Sequence, residues 1–227
     1  MKLLIDDAHL DEIEKICELF PVAGVTTNPT ILAKIGGNPF DTLKEIRSLI
    51  SEEADLHVQA VSRRADDIVN EARHITDILG ANTFVKIPAV PEGFKAMKTL
   101  LETSEILVTA TAVYTPLQAF VAGQCGAAYV APYVNRIDNM GFDGIRVTHE
   151  IKEIFSANTM ETEIIAASFK NAQQLLELCK CGVGAATLAP EIFYAMINNS
   201  AIDSAVEHFV DDFESFAGKD KTMLNFQ

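Results

Sequence analysis

Short apolar runs alternate with stretches of helical period along the whole chain. The runs fall at 3–6, 24–28, 56–61, 84–88, 106–113, 129–134, 163–168 and 185–189. Each is followed by a candidate helix, marked by apolar positions at i, i+3, i+4 and i+7. The segment after the third run is clearest. Ala65, Ile68, Val69, Ala72, Ile75 and Leu79 share one face, and Gly80 stands where a helix-ending glycine belongs. The first helix is predicted to bury Leu10, Ile13, Ile16, Cys17 and Phe20 behind an Asp7 N-cap. A Gly36-Gly37-Asn38-Pro39 break splits the stretch between the second and third runs into two helical segments.

Strands that alternate with helices imply parallel βαβ units. Eight of them in 227 residues predict an α/β fold, a compact (β/α)8 TIM barrel with a C-terminal helix over 201–216. A doubly wound open sheet is the alternative. No Gly-x-Gly-x-x-Gly follows the first run, so a Rossmann nucleotide site lacks support. No linker or repeat array divides the chain, and residues 1–227 read as one domain. The polar tail GKDKTMLNFQ carries Phe226, an apolar handle suited to docking on a neighbouring subunit.

Parallel strands are buried on both faces and are expected to be apolar throughout. Several of these runs are not. Asp6 ends the first, Thr26, Thr27 and Asn28 end the second, and Gln59 interrupts the third. Lys86 sits inside FVKIP, Thr109 and Thr111 lie in the fifth run, Tyr133 and Asn135 near the end of the sixth, and Ser168 ends the seventh. Barrel enzymes build their sites at the carboxyl ends of several strands at once. Side chains alternate with period two. That places Thr26 with Asn28, Thr109 with Thr111, and Ala131 with Tyr133 and Asn135.

Lys86 weighs most. A lysine is almost never buried without a partner. Desolvation lowers its pKa, and a neutral amine in a dry pocket forms Schiff bases with carbonyls. The plainer reading is a strand-end lysine reaching solvent. Asp6 suits an N-cap or a barrel-mouth ion pair as well as a catalytic place. Thr26 and Asn28 suit a turn before Pro29 or a ligand. Gln59 in a strand needs buried partners. Tyr133 suits a core position with its hydroxyl satisfied. Arg136 suits an ion pair with Asp138 or Asp143, and its fork also suits phosphate. Ser168 precedes the helix around Lys170, whose first N–H groups suit an anion.

Charge narrows the partners. Lys and Arg number 18 against 32 Asp and Glu, a net charge of −14. Such a surface repels nucleic acid and anionic lipid, so local donors must hold an anionic substrate. The N-terminus lacks the shape of a signal peptide, and no run approaches a membrane span. A cytoplasmic protein is expected. Cys17, Cys125, Cys179 and Cys181 form no Cys-x-x-Cys and read as buried free thiols. His9, His57, His74, His149 and His208 form no ligand-spaced pair. His57 reads as a core residue, and His74 and His149 as solvated helix residues. No metal and no cofactor are expected.

The stretches FPVAGVTTNPTI (20–31), FVKIPAVPEG (84–93), TAVYT (111–115), YVAPYVNRIDNMGFDGI (129–145) and AASFK (166–170) resemble the small transaldolase family, and within it the fructose-6-phosphate aldolases. The resemblance runs over nearly the whole chain. It implies a (β/α)8 barrel and a Schiff base on Lys86. It implies donor-sugar binding by Asp6 and Asn28, with Asp6 also handling a proton, and a supporting Thr26. Gln59, Thr111 and Tyr133 would position a catalytic water or proton donor. Ala131 would leave room beside the substrate, and Arg136 and Ser168 would take the phosphate. It also implies a homo-oligomer, a decamer of two pentamers with exchanged C-terminal segments.

Similar-length transaldolases tend to carry Glu and Phe where this chain has Gln59 and Tyr133, and the aldolases carry Gln and Tyr. The chain departs from the family at Asp7, at Thr109-Ala110 and in GVGAATLAPEIF. The expectation is a class I aldolase cleaving fructose 6-phosphate to dihydroxyacetone and glyceraldehyde 3-phosphate. The alternatives are a transaldolase of the pentose phosphate pathway, a non-catalytic sugar-phosphate-binding barrel, and an aldolase for another sugar.

Overall fold

A computed structural model describes residues 1–80 and 82–226. Its strands are β1 (Lys2–Asp6), β2 (Val22–Thr26), β3 (Asp55–Gln59), β4 (Thr83–Pro88), β5 (Leu107–Val113), β6 (Tyr129–Pro132), β7 (Glu163–Ala166) and β8 (Ala185–Leu188). Its helices are α1 (Leu10–Leu19), α2 (Pro29–Ile35), α3 (Pro39–Leu49), α4 (Ala65–Leu79), α5 (Pro91–Thr103), α6 (Pro116–Gln124), α7 (Val134–Asn139), α8 (Gly144–Ala157), α9 (Ala172–Lys180), α10 (Pro190–Ile197) and α11 (Ser200–Ala217). The strands close in chain order into a parallel barrel, β8 pairing back onto β1. The predicted TIM barrel is therefore the observed architecture. The chain forms two compact units, Met1–Phe193, which holds the barrel, and a helical segment from Tyr194 onward.

Register fixes which residues face inward together. One row runs Asp6, Thr26, His57 and Phe84 across β1 to β4. A second runs Gln59, Lys86, Thr109 and Tyr129 across β3 to β6. On the opposite parity Val85 and Ile87 are fully buried, so β4 turns its β-branched face away from the interior. The interior is filled by Leu4, Phe84, Tyr129, Ala131, Ile165 and Ala185. His57 lies within it, stacked on Phe84 at 4.6 Å with its Nδ1 2.9 Å from Thr109 Oγ1. It is a core residue, as its parity predicts. Burial holds its imidazole well below the usual pKa of 6.5, and the nearby Lys86 and Lys2 charges push the same way.

The α4 pattern matches its prediction, with all six apolar positions buried and Gly80 in the left-handed region at φ 77°. Local chemistry displaces other expectations. The N-cap of α1 is His9, and Asp7 instead accepts from Ala8 N and His9 Nδ1, each at 2.8 Å. In α1 only Ile13 and Ile16 are fully buried. The cysteines are free but not buried: Cys179 is exposed and the other three are intermediate. Five strands stop earlier than the apolar runs do, β3 at Gln59 and β8 at Leu188 among them. β2 ends at Thr26, β6 at Pro132 and β7 at Ala166, because helix caps and tight turns take over the backbone there.

In the second unit, α11 starts from an Asn199 side chain accepting from Ala201 N. Phe213, Phe216 and Phe226 meet edge to face at 5.0–6.0 Å. Phe226 packs against these two α11 rings and stays 49% exposed. Among the described residues no helix is long and apolar enough to cross a membrane.

Candidate active site

Lys86 is 5% exposed in the middle of β4. Its Nζ donates to the Thr27 carbonyl at 2.7 Å, the polar contact that makes burial tolerable. Burial pulls its pKa below 10.5. Asp6 opposes that shift, and Arg136 adds to it. The charged form of the amine is therefore less favoured than in water.

One wall is a chain of hydroxyls. Thr26 Oγ1 donates to Asp6 Oδ1 at 2.7 Å and lies 2.7 Å from Thr187 Oγ1. Thr26 has one proton and gives it to the carboxylate, so Thr187 must be the donor in the second bond. Asp6 stays half-buried at the strand end, with Thr26 and Thr187 buried behind it. Thr187, on β8, was not singled out by sequence reasoning. Its signal was its position: a hydroxyl between Ala186 and Leu188 in a strand otherwise apolar.

The facing wall is Thr111 and Tyr133. Thr111 Oγ1 lies 2.8 Å from the Tyr133 hydroxyl. β5 breaks register between Ala110 and Val113, and Ala112 takes a left-handed φ of 55°. Such a bulge re-aims neighbouring side chains. Tyr133 is not a strand residue. It is the N-cap of α7 and bridges Ala167 through its backbone. Strand parity therefore stops at Pro132, and Asn135 belongs to the helix. Burial raises the Tyr133 pKa above 10, while the Thr111 bond and Arg136 lower it.

The remaining predicted residues lie around these walls. Gln59 neighbours Lys86 in register and is half-buried. Ala131 packs in the barrel interior. Asn28 caps α2, its Oδ1 accepting from Thr30 N and Ile31 N at 3.0 Å, which leaves its amide nitrogen for a ligand. Arg136 is exposed on α7 with its guanidinium carbon 4.6 Å from the Tyr133 ring centre. Neither predicted carboxylate holds it. Asp138 accepts from Gly144 N and Gln174 Nε2, and Asp143 caps α8. Ser168 has a left-handed φ of 62°, and its carbonyl accepts from Asn135 N at 2.8 Å. The helix after it begins at Ala172, not around Lys170, and Asn171 already caps Gln174 N. Thr109 faces inward but spends its hydroxyl on His57.

A desolvated amine, a carboxylate held by a hydroxyl, and a phenol paired with a second hydroxyl can add to a carbonyl and move protons around the adduct. Residues 3–225 match the family described as Transaldolase/Fructose-6-phosphate aldolase. The chain belongs to that family. Solved structures of other barrels share the fold. A flavocytochrome b2 variant with pyruvate bound is 12% identical with a TM-score of 0.60, covering 95% of this chain and 63% of its own. A mandelate oxidase variant with an FMN monooxide adduct is 13% identical with a TM-score of 0.57, covering 95% and 74%. At such identity the likeness is one of fold alone.

Proposed function

We propose that the enzyme is a class I fructose-6-phosphate aldolase, a lyase rather than a transferase. The observation that carries this reading is the Thr111–Tyr133 hydroxyl pair at 2.8 Å, its threonine on the strand that pairs with that of the buried Lys86. A lyase has to protonate the carbanion left on the lysine. A transferase has to keep it until an acceptor aldehyde arrives. A phenol offers the needed proton path through water.

Neutral Lys86 adds to C2 of the ketose, and the C2 oxygen leaves as water to give an iminium. Asp6, oriented by Thr26, takes the proton of the C4 hydroxyl. The C3–C4 bond breaks, its electron pair moves to the iminium, and glyceraldehyde 3-phosphate departs. Tyr133, with Thr111 and Gln59, orders the water that delivers a proton to C3 of the enamine. Hydrolysis then frees dihydroxyacetone and restores Lys86. The Asn28 amide nitrogen binds a donor hydroxyl, Ala131 leaves space for the chain, and Arg136 and Ser168 take the phosphate. The iminium is the electron sink, so the chemistry on Lys86 calls for no cofactor.

A homo-oligomer belongs to the same reading. It is supported by the apolar positions Ile202, Val206, Phe209, Val210 and Phe213, spaced for one stripe on α11.

Single-substrate turnover tests the function. The protein is given fructose 6-phosphate alone and glyceraldehyde 3-phosphate is followed with a coupled reductase. Steady release is expected. Release only after erythrose 4-phosphate is added overturns the lyase reading in favour of a transaldolase.

A further inference from the structure

The phosphate and the proton donor of this reaction meet at one turn. Tyr133 caps α7, and Arg136 follows three residues later on that helix, over the phenol face at 4.6 Å. The turn is tied to Ser168 as well, through Asn135 N to the Ser168 carbonyl at 2.8 Å and Val134 N to the Ala167 carbonyl at 2.9 Å. Both residues assigned to the phosphate are therefore fixed to the residue assigned to the proton.

A cation over an aromatic face is held by the ring's negative quadrupole, and it stabilises a phenolate more than a phenol. The groups that bear on the Tyr133 hydroxyl come from several elements. They are Thr111 from β5, Asp6 from β1, Tyr114 edge-on at 5.7 Å, and Arg136 from α7. Arg136 is the cation among them. Asp6 and Tyr114 act in the opposite sense.

We propose that Arg136 makes the phosphate of a bound aldehyde a brake on enamine protonation: a dianion paired with the guanidinium cancels the positive charge over the Tyr133 ring and leaves its hydroxyl a poorer proton donor. The proposal rests on the assignment of Arg136 to the phosphate and of Tyr133 to the proton path. While a phosphorylated aldehyde occupies the site, the enamine keeps its electron pair for carbon–carbon bond formation. When that aldehyde leaves, the uncovered guanidinium favours transfer. The proton then passes from Tyr133 through water to C3, and the phenolate recovers a proton from solvent. The geometry thus links the choice between bond formation and hydrolysis to phosphate occupancy.

The test follows the Tyr133 phenol directly, on protein carrying 13Cζ-labelled tyrosine, with Tyr133→Phe assigning the resonance. Inorganic phosphate is the probe. It is expected to raise the Tyr133 titration midpoint by about half a unit, the size of an exposed cation–π contact. Arg136→Gln is expected to raise it similarly without phosphate and to abolish the phosphate response. In parallel, dihydroxyacetone exchanges its carbon-bound hydrogen in D2O. Phosphate is expected to slow that exchange roughly threefold in the parent enzyme and not in Arg136→Gln. A Tyr133 midpoint indifferent to both phosphate and Arg136→Gln overturns the proposal, as does a midpoint that moves while exchange does not. Failure of the Schiff-base reading looks different. Then no exchange occurs at all and borohydride traps nothing on Lys86, while the phenol titration still decides the coupling.

Discussion

Thr187→Val tests the hydroxyl chain behind Asp6. Valine keeps the shape and removes one donor. Thr26 gives its proton to Asp6, so the Thr26 oxygen loses the bond it accepts from Thr187 at 2.7 Å. Both threonines are at most 3% exposed, so water is poorly placed to replace the donor. A buried neutral hydrogen bond lost in this way costs about 1 to 2 kcal/mol. In a chain of this size that lowers Tm by about 2–8 °C. Thr26→Val removes the bond to the carboxylate itself, worth about 1.5–3 kcal/mol. If that bond aligns Asp6 in the transition state, kcat/KM falls about 10- to 150-fold. Thr187→Val, acting only through Thr26, is expected to cost about three- to tenfold. The assay is a double-mutant cycle on kcat/KM for fructose 6-phosphate cleavage, with thermal melts alongside. Once Thr26 is valine, Thr187→Val is expected to add nothing to the loss in kcat/KM. Coupling of at least about 0.5 kcal/mol supports the chain. Additive losses would refute it and leave Thr187 as a packing residue.

Lys86→Met is expected to abolish both turnover and borohydride trapping with dihydroxyacetone. It is also expected to stabilise the fold near neutral pH, because the folded lysine's pKa lies below its unfolded 10.5. The unfolded chain binds the extra proton between those two values. The parent's deficit therefore shrinks as pH rises through that window, and so does the variant's Tm advantage. His57 titrates in the same sense, its folded pKa lying well below 6.5. The parent is expected to lose stability as pH falls below about 6.5, and His57→Phe to flatten that loss in melts across the acid range. Tyr133→Phe leaves the buried Thr111 hydroxyl without its partner and removes the phenol proton. Single-substrate cleavage is expected to fall about 100-fold or more, with transfer to erythrose 4-phosphate falling less, and equal losses in the two assays would contradict the proton path.

The barrel was legible because its signal is repeated. Each strand carries buried apolar positions and most of the helices a buried face, though α2 and α11 bury none, so small errors in individual boundaries leave the topology unchanged. Most of the candidate residues were legible because Asp6, Lys86 and Thr111 interrupt strands that have no other reason to be polar. What was illegible falls into two physical kinds. One is backbone. The acceptor that holds Lys86 is the carbonyl of Thr27, and a main-chain group leaves no mark in a side-chain pattern. The other is the point where a strand ceases to be one. Period-two counting puts Tyr133 on the same face as Ala131. Yet Tyr133 reaches Thr111 from the N-cap of α7, after the β6 ladder has ended at Pro132. Its backbone N–H still bonds across to the Val113 carbonyl at 3.1 Å, beyond the bulge in β5. The sequence-based reading thus placed Tyr133 beside Thr111 by a parity that no longer applied. Thr109 shows the converse. Its parity is correct and it sits beside Lys86 in register, but its hydroxyl is committed to His57 across β4. Period two tells which residues enter the barrel, and hydrogen-bond partners decide which of them remain free for a substrate.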